Sequence, residues 1–133
     1  MCKGGNSMDG DKSREDYLEA ILVLSKKNEA VRNVDIAAYL GYAAPSVSIA
    51  VKKLAQEKYI FIDDSKAVVL TPKGRLKAEQ IYERHLVLTL ILMELGVSKD
   101  TASLDACRLE HDMTDETFNR IKEFYFKNYH NKN

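Results

Sequence analysis

The stretch from Asn33 to Glu57 constrains the fold most. Asn33 or Asp35 opens a short helix over Val34 to Leu40, and Gly41 ends it, because glycine takes the left-handed backbone of a helix end without a Cβ penalty. Pro45 then starts another helix, reaching about Glu57, at a position where its missing N–H costs nothing. Upstream, Ser13 and Asp16 resemble a capping box. Tyr17, Leu18, Ile21, Leu22 and Leu24 then recur at helical spacing, which predicts a first helix from Arg14 to Lys27. Downstream, Tyr59-Ile60-Phe61-Ile62 and Ala67-Val68-Val69-Leu70 flank the turn Asp63-Asp64-Ser65-Lys66 and predict a β-hairpin. Helix, short helix, turn, helix, hairpin is the order of a winged helix-turn-helix.

Thr71-Pro72 reads as an N-cap followed by proline at the first helical position, which predicts a long helix from Pro72 to Leu95, ended by Gly96. Ser98 is expected to cap a fifth helix over Lys99 to Asp112, and Thr114 to open a sixth from Asp115 to Tyr129. The expected fold is therefore mainly α. A flexible tail over residues 1–12 precedes an N-terminal winged helix-turn-helix with a two-stranded β wing over residues 13–74, and an all-helical domain over 75–133 follows.

Composition narrows the class. Hydrophobic residues make up 45% and charged ones 30% of the 133 residues, a balance that forms a folded core and argues against disorder. The longest apolar run, Leu86 to Met93 with only Thr89 interrupting, is far short of the roughly 20 residues that cross a bilayer, so no membrane association is expected. The segment from Met1 to Asp11 has no apolar stretch of the secretory type, Met8 offers a second start, and a cytoplasmic location is expected. In that reducing compartment Cys2 and Cys107 are expected to be thiols.

The net charge is zero but unevenly distributed. Between Ser46 and Lys77 seven basic residues face three acidic ones, whereas between Ser98 and Glu116 two basic residues face six acidic ones. Such asymmetry suggests one surface for an anionic partner and another for a cation. In a helix-turn-helix the N-terminal residues of the second helix touch base edges in the major groove. Here these are Ala44, Pro45, Ser46, Ser48 and Ile49. Serine hydroxyls read several bases, and the alanine and isoleucine methyls suit a thymine methyl. Lys52 and Lys53 on the same helix and Lys66 at the hairpin tip are placed to neutralise phosphates.

Cys107, Glu110 and His111 stand at i, i+3 and i+4 on the fifth helix, so their side chains leave from one face. Asp16 and Glu19 share an i, i+3 spacing on the first helix, and His85 lies within the long helix. Carboxylates brought together repel unless a cation lies between them. Carboxylate and imidazole suit Mn(II) and Fe(II), and a thiolate pulls towards Fe(II), Co(II) or Zn(II). Taken singly, Asp16 serves equally as a macrodipole partner and Cys107 as a core residue; spacing alone leaves both readings open.

The segment Asp105-Ala106-Cys107-Arg108-Leu109-Glu110-His111, followed by Met113-Thr114-Asp115-Glu116, resembles the signature of the diphtheria toxin repressor family of metal-dependent regulators. Glu15-Asp16-Tyr17-Leu18-Glu19-Ala20-Ile21 resembles the first helix of its manganese transport regulator branch, and Leu70-Thr71-Pro72-Lys73-Gly74 and Glu83-Arg84-His85 match both branches. The resemblance covers Ser13 to Tyr125. It implies a repressor of metal-uptake genes that binds a palindromic double-stranded DNA operator. The helical domain would form a homodimer and, with the first helix, hold Mn(II) or Fe(II), with Co(II), Zn(II) or Cd(II) as substitutes. The implied ligands are Asp16, Glu19, His85, Cys107, Glu110 and His111, a mixture in which the thiol is of the iron-responsive kind and Asp16 and Glu19 of the manganese-responsive kind. Ile49 departs from the iron branch, which tends to carry glutamine there, so a different operator is expected. Two alternatives from other classes are a winged-helix regulator sensing an organic ligand or oxidation of Cys107, and a Cys107–His111 thiol enzyme.

Overall fold

The computed structural model describes residues 10–128, with side chains from residue 13. Its elements are α1 (Gly10–Lys27), α2 (Asn33–Leu40), α3 (Ala44–Gln56), β1 (Ile60–Ile62), β2 (Val68–Leu70), α4 (Pro72–Glu94), α5 (Lys99–Asp112) and α6 (Asp115–Asn128). Two compact units meet at the bond between Ile81 and Tyr82, inside α4. Among the described residues no single helix is long and apolar enough to cross a membrane.

In the first unit α1 packs on α2, α3 and β2, and α3 packs on β1. Leu18, Ile21 and Leu22 of α1, Ile36 of α2, Val47 and Val51 of α3 and Ile60 of β1 are fully buried. Gly41, at φ 74°, ends α2, and its N–H donates to the Ala37 carbonyl. The chain then turns so sharply that α2 and α3 are bent by 116°, the geometry of a helix-turn-helix. Strands β1 and β2 are antiparallel, with Ile60 opposite Leu70 and Ile62 opposite Val68. The Asp63 carboxylate closes their turn by accepting the N–H groups of Ser65 and Ala67 at 2.9 Å each and the Ser65 hydroxyl at 2.8 Å. These bonds, that from Ala67 foremost, hold its pKa below the usual carboxylate value. Lys66 at the tip takes a left-handed φ of 70°.

The strand-to-helix exit is tightly built. Thr71 caps α4, its hydroxyl accepting the Gly74 N–H at 3.1 Å and donating to the Lys58 carbonyl at 2.6 Å. Lys73 Nζ donates to the Glu57 carbonyl at 2.9 Å and lies 4.3 Å from the centre of the Tyr59 ring.

In the second unit Val87 and Leu88 of α4, Ala106 of α5 and Phe118 of α6 form a buried cluster, with Ile91, Met113 and Phe126 against it. Thr114 opens α6 by accepting the Thr117 N–H at 3.3 Å.

Local expectations at three helix starts are corrected. α1 begins at Gly10, so Ser13 is inside the helix and residues 10–12 are helical rather than tail; Cys2 and residues 1–9 lie outside the described residues. The reason is tertiary: the Arg14 guanidinium donates to both Glu57 carboxylate oxygens, at 3.1 and 3.0 Å, and pins the first turns to the end of α3. α2 is capped from Arg32, whose N–H donates to the Asp35 carboxylate at 2.9 Å, so Asn33 is its first residue. Ser98 holds the N-cap position of α5 with an extended backbone but makes no side-chain cap.

Candidate functional site

The second unit carries the candidate metal centre. One turn of α5 presents Cys107, Glu110 and His111, and one ligand atom from each lies within 4.8 Å of the others. Two donors on opposite sides of one ion, each at about 2.3 Å, stand roughly 4.6 Å apart, so a cluster within 4.8 Å comes close to the dimensions of a single-ion site. The Glu110 residue is only 2% exposed. Its Oε2 lies 3.1 Å from Nδ1 of His85 on α4, and its Oε1 lies 3.3 Å from Nε2 of His111. A carboxylate so deeply buried demands strong compensation, and imidazoles and a cation are the groups able to give it. The far nitrogen of His85, Nε2, is 3.4 Å from the Ser103 hydroxyl, which fixes the ring with Nδ1 towards Glu110.

Cys107 is only 6% exposed, and Cys2, the other cysteine of the sequence, lies outside the described residues. As a metal ligand Cys107 acts as the thiolate, so metal binding releases its proton.

In the first unit, helix α1 carries Asp16 and Glu19, which are 3% and 7% exposed. Such burial is rare for carboxylates without compensation. Asp16 influences the turn of the helix-turn-helix: burial foremost, then the charge of Asp16 and the neighbouring Tyr17, push the Tyr42 hydroxyl up to about 12. The rings of Tyr17 and Tyr42 sit 5.7 Å apart, joining α1 to the loop that leads into α3.

Helix α3 divides cleanly. Val47, Val51 and Leu54 are buried, whereas Ala44, Pro45, Ser46, Ile49, Lys52 and Lys53 are exposed and Ser48 is half-buried. Ile49 is 70% exposed, which leaves its methyl groups available for a base-edge contact. Lys66 is exposed at the wing tip.

One residue went unassigned at the sequence level. Arg84 precedes His85 and donates to the Glu110 carbonyl at 2.9 Å and the Met113 carbonyl at 2.6 Å. Its adjacency to a histidine in a helix was the available signal, but the partners lie 26 and 29 residues away.

Comparison with known proteins identifies the family of the chain. Residues 11–68 match the model of the iron dependent repressor N-terminal DNA binding domain, and residues 71–131 match that of the iron dependent repressor metal binding and dimerisation domain. An uncharacterised HTH-type transcriptional regulator of Methanocaldococcus jannaschii is 35% identical over 117 residues, covering 86% of this chain and 94% of that protein. The transcriptional regulator MntR of Salmonella typhimurium is 36% identical over 110 residues, covering 83% of this chain and 70% of that protein. Among solved structures, the manganese regulator SloR superposes with a TM-score of 0.74 at 35% identity, over 84% of this chain and 52% of that one. A manganese-dependent transcriptional repressor in complex with manganese does so with a TM-score of 0.75 at 31% identity, over 83% and 51%. The chain thus spans about half the length of these solved structures. The relatives are regulators and not enzymes, which removes the thiol-enzyme alternative. By its two matched domains and its relatives, the chain belongs to the iron dependent repressor family of metal-dependent, DNA-binding transcriptional regulators.

Proposed function

We propose that the protein is a cytoplasmic repressor of metal-uptake genes that binds a palindromic operator as a homodimer when Mn(II) or Fe(II) is bound. The observation that carries this reading is the buried Glu110 carboxylate between two imidazoles, with Cys107 beside it on the same helical face. The proposed ligands are Asp16, Glu19, His85, Cys107, Glu110 and His111, and the proposed domains run over residues 13–74 and 75–133. When bound, the ion supplies the positive charge that lets these carboxylates remain ionised side by side. The oxygen and nitrogen donors favour Mn(II) or Fe(II), and a reduced Cys107 adds affinity for Fe(II), Co(II), Zn(II) or Cd(II).

The chain's own residues do the rest. His85, Glu110 and His111 hold one unit's share of the site rigid. Asp16 and Glu19 are the ligands proposed on α1, which carries α3 through Arg14 and Glu57. In a symmetric dimer this sets the separation of the two α3 helices, which has to match one turn of B-DNA, about 34 Å, or a multiple of it. Ala44, Pro45, Ser46, Ser48 and Ile49 then meet base edges, and Lys52, Lys53 and Lys66 meet phosphates. Differential binding of about 5.5 kcal/mol suffices to move such an equilibrium from 1:99 to 99:1.

Anaerobic fluorescence titration of labelled promoter fragments with and without Mn(II) or Fe(II) tests the proposal. Operator binding that requires neither ion contradicts it.

A further inference from the structure

We infer that Arg84 is the positioning residue of the metal centre: its guanidinium fixes the last turn of α5, and with it Glu110 and His111, against the turn of α4 that carries His85. The inference rests on the metal-binding reading above. The final carbonyls of an α-helix have no donor within the helix. Many helices solve this with a left-handed residue whose N–H folds back, but α5 ends at Met113 with an extended backbone, φ −102° and ψ 138°. Arg84 supplies the missing donors. Its Nη1 reaches the Glu110 carbonyl at 2.9 Å and the Met113 carbonyl at 2.6 Å. Its Nη2 pairs with the Asp115 carboxylate at the start of α6, and the guanidinium lies 5.2 Å from the centre of the Phe118 ring.

Adjacent residues of one helix therefore hold Glu110 from both ends. Arg84 takes its backbone oxygen, and His85 Nδ1 stands 3.1 Å from its carboxylate. The side chain of Arg84 is 13% exposed, and that of Asp115, its outer anchor, is 93% exposed. Only a planar fork with several N–H groups serves two carbonyls and a carboxylate at once, so lysine is a poor replacement. Moving the last turn of α5 shifts Glu110 and His111 together relative to His85, a change that metal affinity registers directly. Loss of such outer partners lowers metal affinity by about 10- to 100-fold in comparable sites.

The test uses the full chain as wild type and as Arg84→Gln, Arg84→Lys and Asp115→Asn. Calorimetric titration with Mn(II) gives the affinity, and the ligand-field absorption of added Co(II) reports coordination geometry. Expected are a roughly 10- to 100-fold loss and an altered Co(II) spectrum for Arg84→Gln, with an intermediate loss for Arg84→Lys. A folded Arg84→Gln chain with wild-type affinity and spectrum overturns the inference, because a merely structural role lowers the melting point and leaves both unchanged. If Arg84→Gln fails to fold, Asp115→Asn decides: a several-fold loss with a shifted spectrum supports the inference, and wild-type values overturn it. A wild-type chain that binds neither ion overturns the metal-binding reading itself, and this inference with it.

Discussion

Replacing Gly74 with alanine puts a methyl group where the chain has no room. A Cβ at this position would stand 2.8 Å from the carbonyl carbon of Tyr59 and 3.2 Å from its Cα, and closer still to the carbonyl oxygen. The obstacle is backbone, so no side-chain rotation relieves it. That same oxygen accepts the Thr71 N–H at 3.0 Å, and the neighbouring Lys58 and Glu57 carbonyls are bound by Thr71 and Lys73. Separating the two segments thus strains the whole joint between the wing and α4. Overpacking costs about 1–3 kcal/mol, and a weakened hydrogen bond about 1 more. Against this, alanine gains roughly 0.5–1 kcal/mol over glycine in a helix. The net loss is about 2 kcal/mol, which for a chain of this size lowers the melting midpoint by roughly 8 °C. Thermal unfolding followed by circular dichroism measures it. An unchanged or raised midpoint refutes the close approach, since propensity alone makes alanine the better residue.

Glu110→Ala and His111→Ala are each expected to abolish metal-dependent operator binding while the circular dichroism spectrum stays native; a gel-shift titration with unchanged metal dependence refutes this. At Glu57 the hydrogen bond from Arg14, more than any other influence, holds the carboxyl below its ordinary value of 4.5. The ionised form is thus favoured by folding, and its stabilisation, present above pH 4.5, is lost as pH falls through the lower folded value. Glu57→Gln should cost under about 1 kcal/mol at neutral pH for so accessible a pair, and urea midpoints of variant and wild type should converge in acid; a constant gap across pH rules this out. Removing Lys52, Lys53 or Lys66 is expected to weaken DNA binding equally for all sequences and to reduce the slope of log affinity against log salt by about 1. Ile49→Ala should instead narrow the margin between operator and unrelated DNA, which competition binding reads.

Each described element was legible from residue order, and α5 spans Lys99–Asp112 as expected from Ser98 before it and Thr114 after it. The one-face clustering of Cys107, Glu110 and His111 was legible too, because i, i+3 and i+4 are neighbours in any α-helix. Features that depend on distant partners were not. The cap read at Ser13 is displaced by Arg14 gripping a carboxylate 43 residues away, and the Ser98 hydroxyl makes no cap despite its favourable position.

By itself, then, the sequence determined the helix-turn-helix, the wing and the donor-bearing turn of α5, since periodicity, Gly41 and Thr71-Pro72 act through bonds spanning only a few residues. Tertiary structure alone decided that Gly74 lies against Tyr59, that His85 faces Glu110 and that Arg84 closes α5. Those relations join residues 15 to 29 positions apart, and chain periodicity carries no information about which helix faces meet.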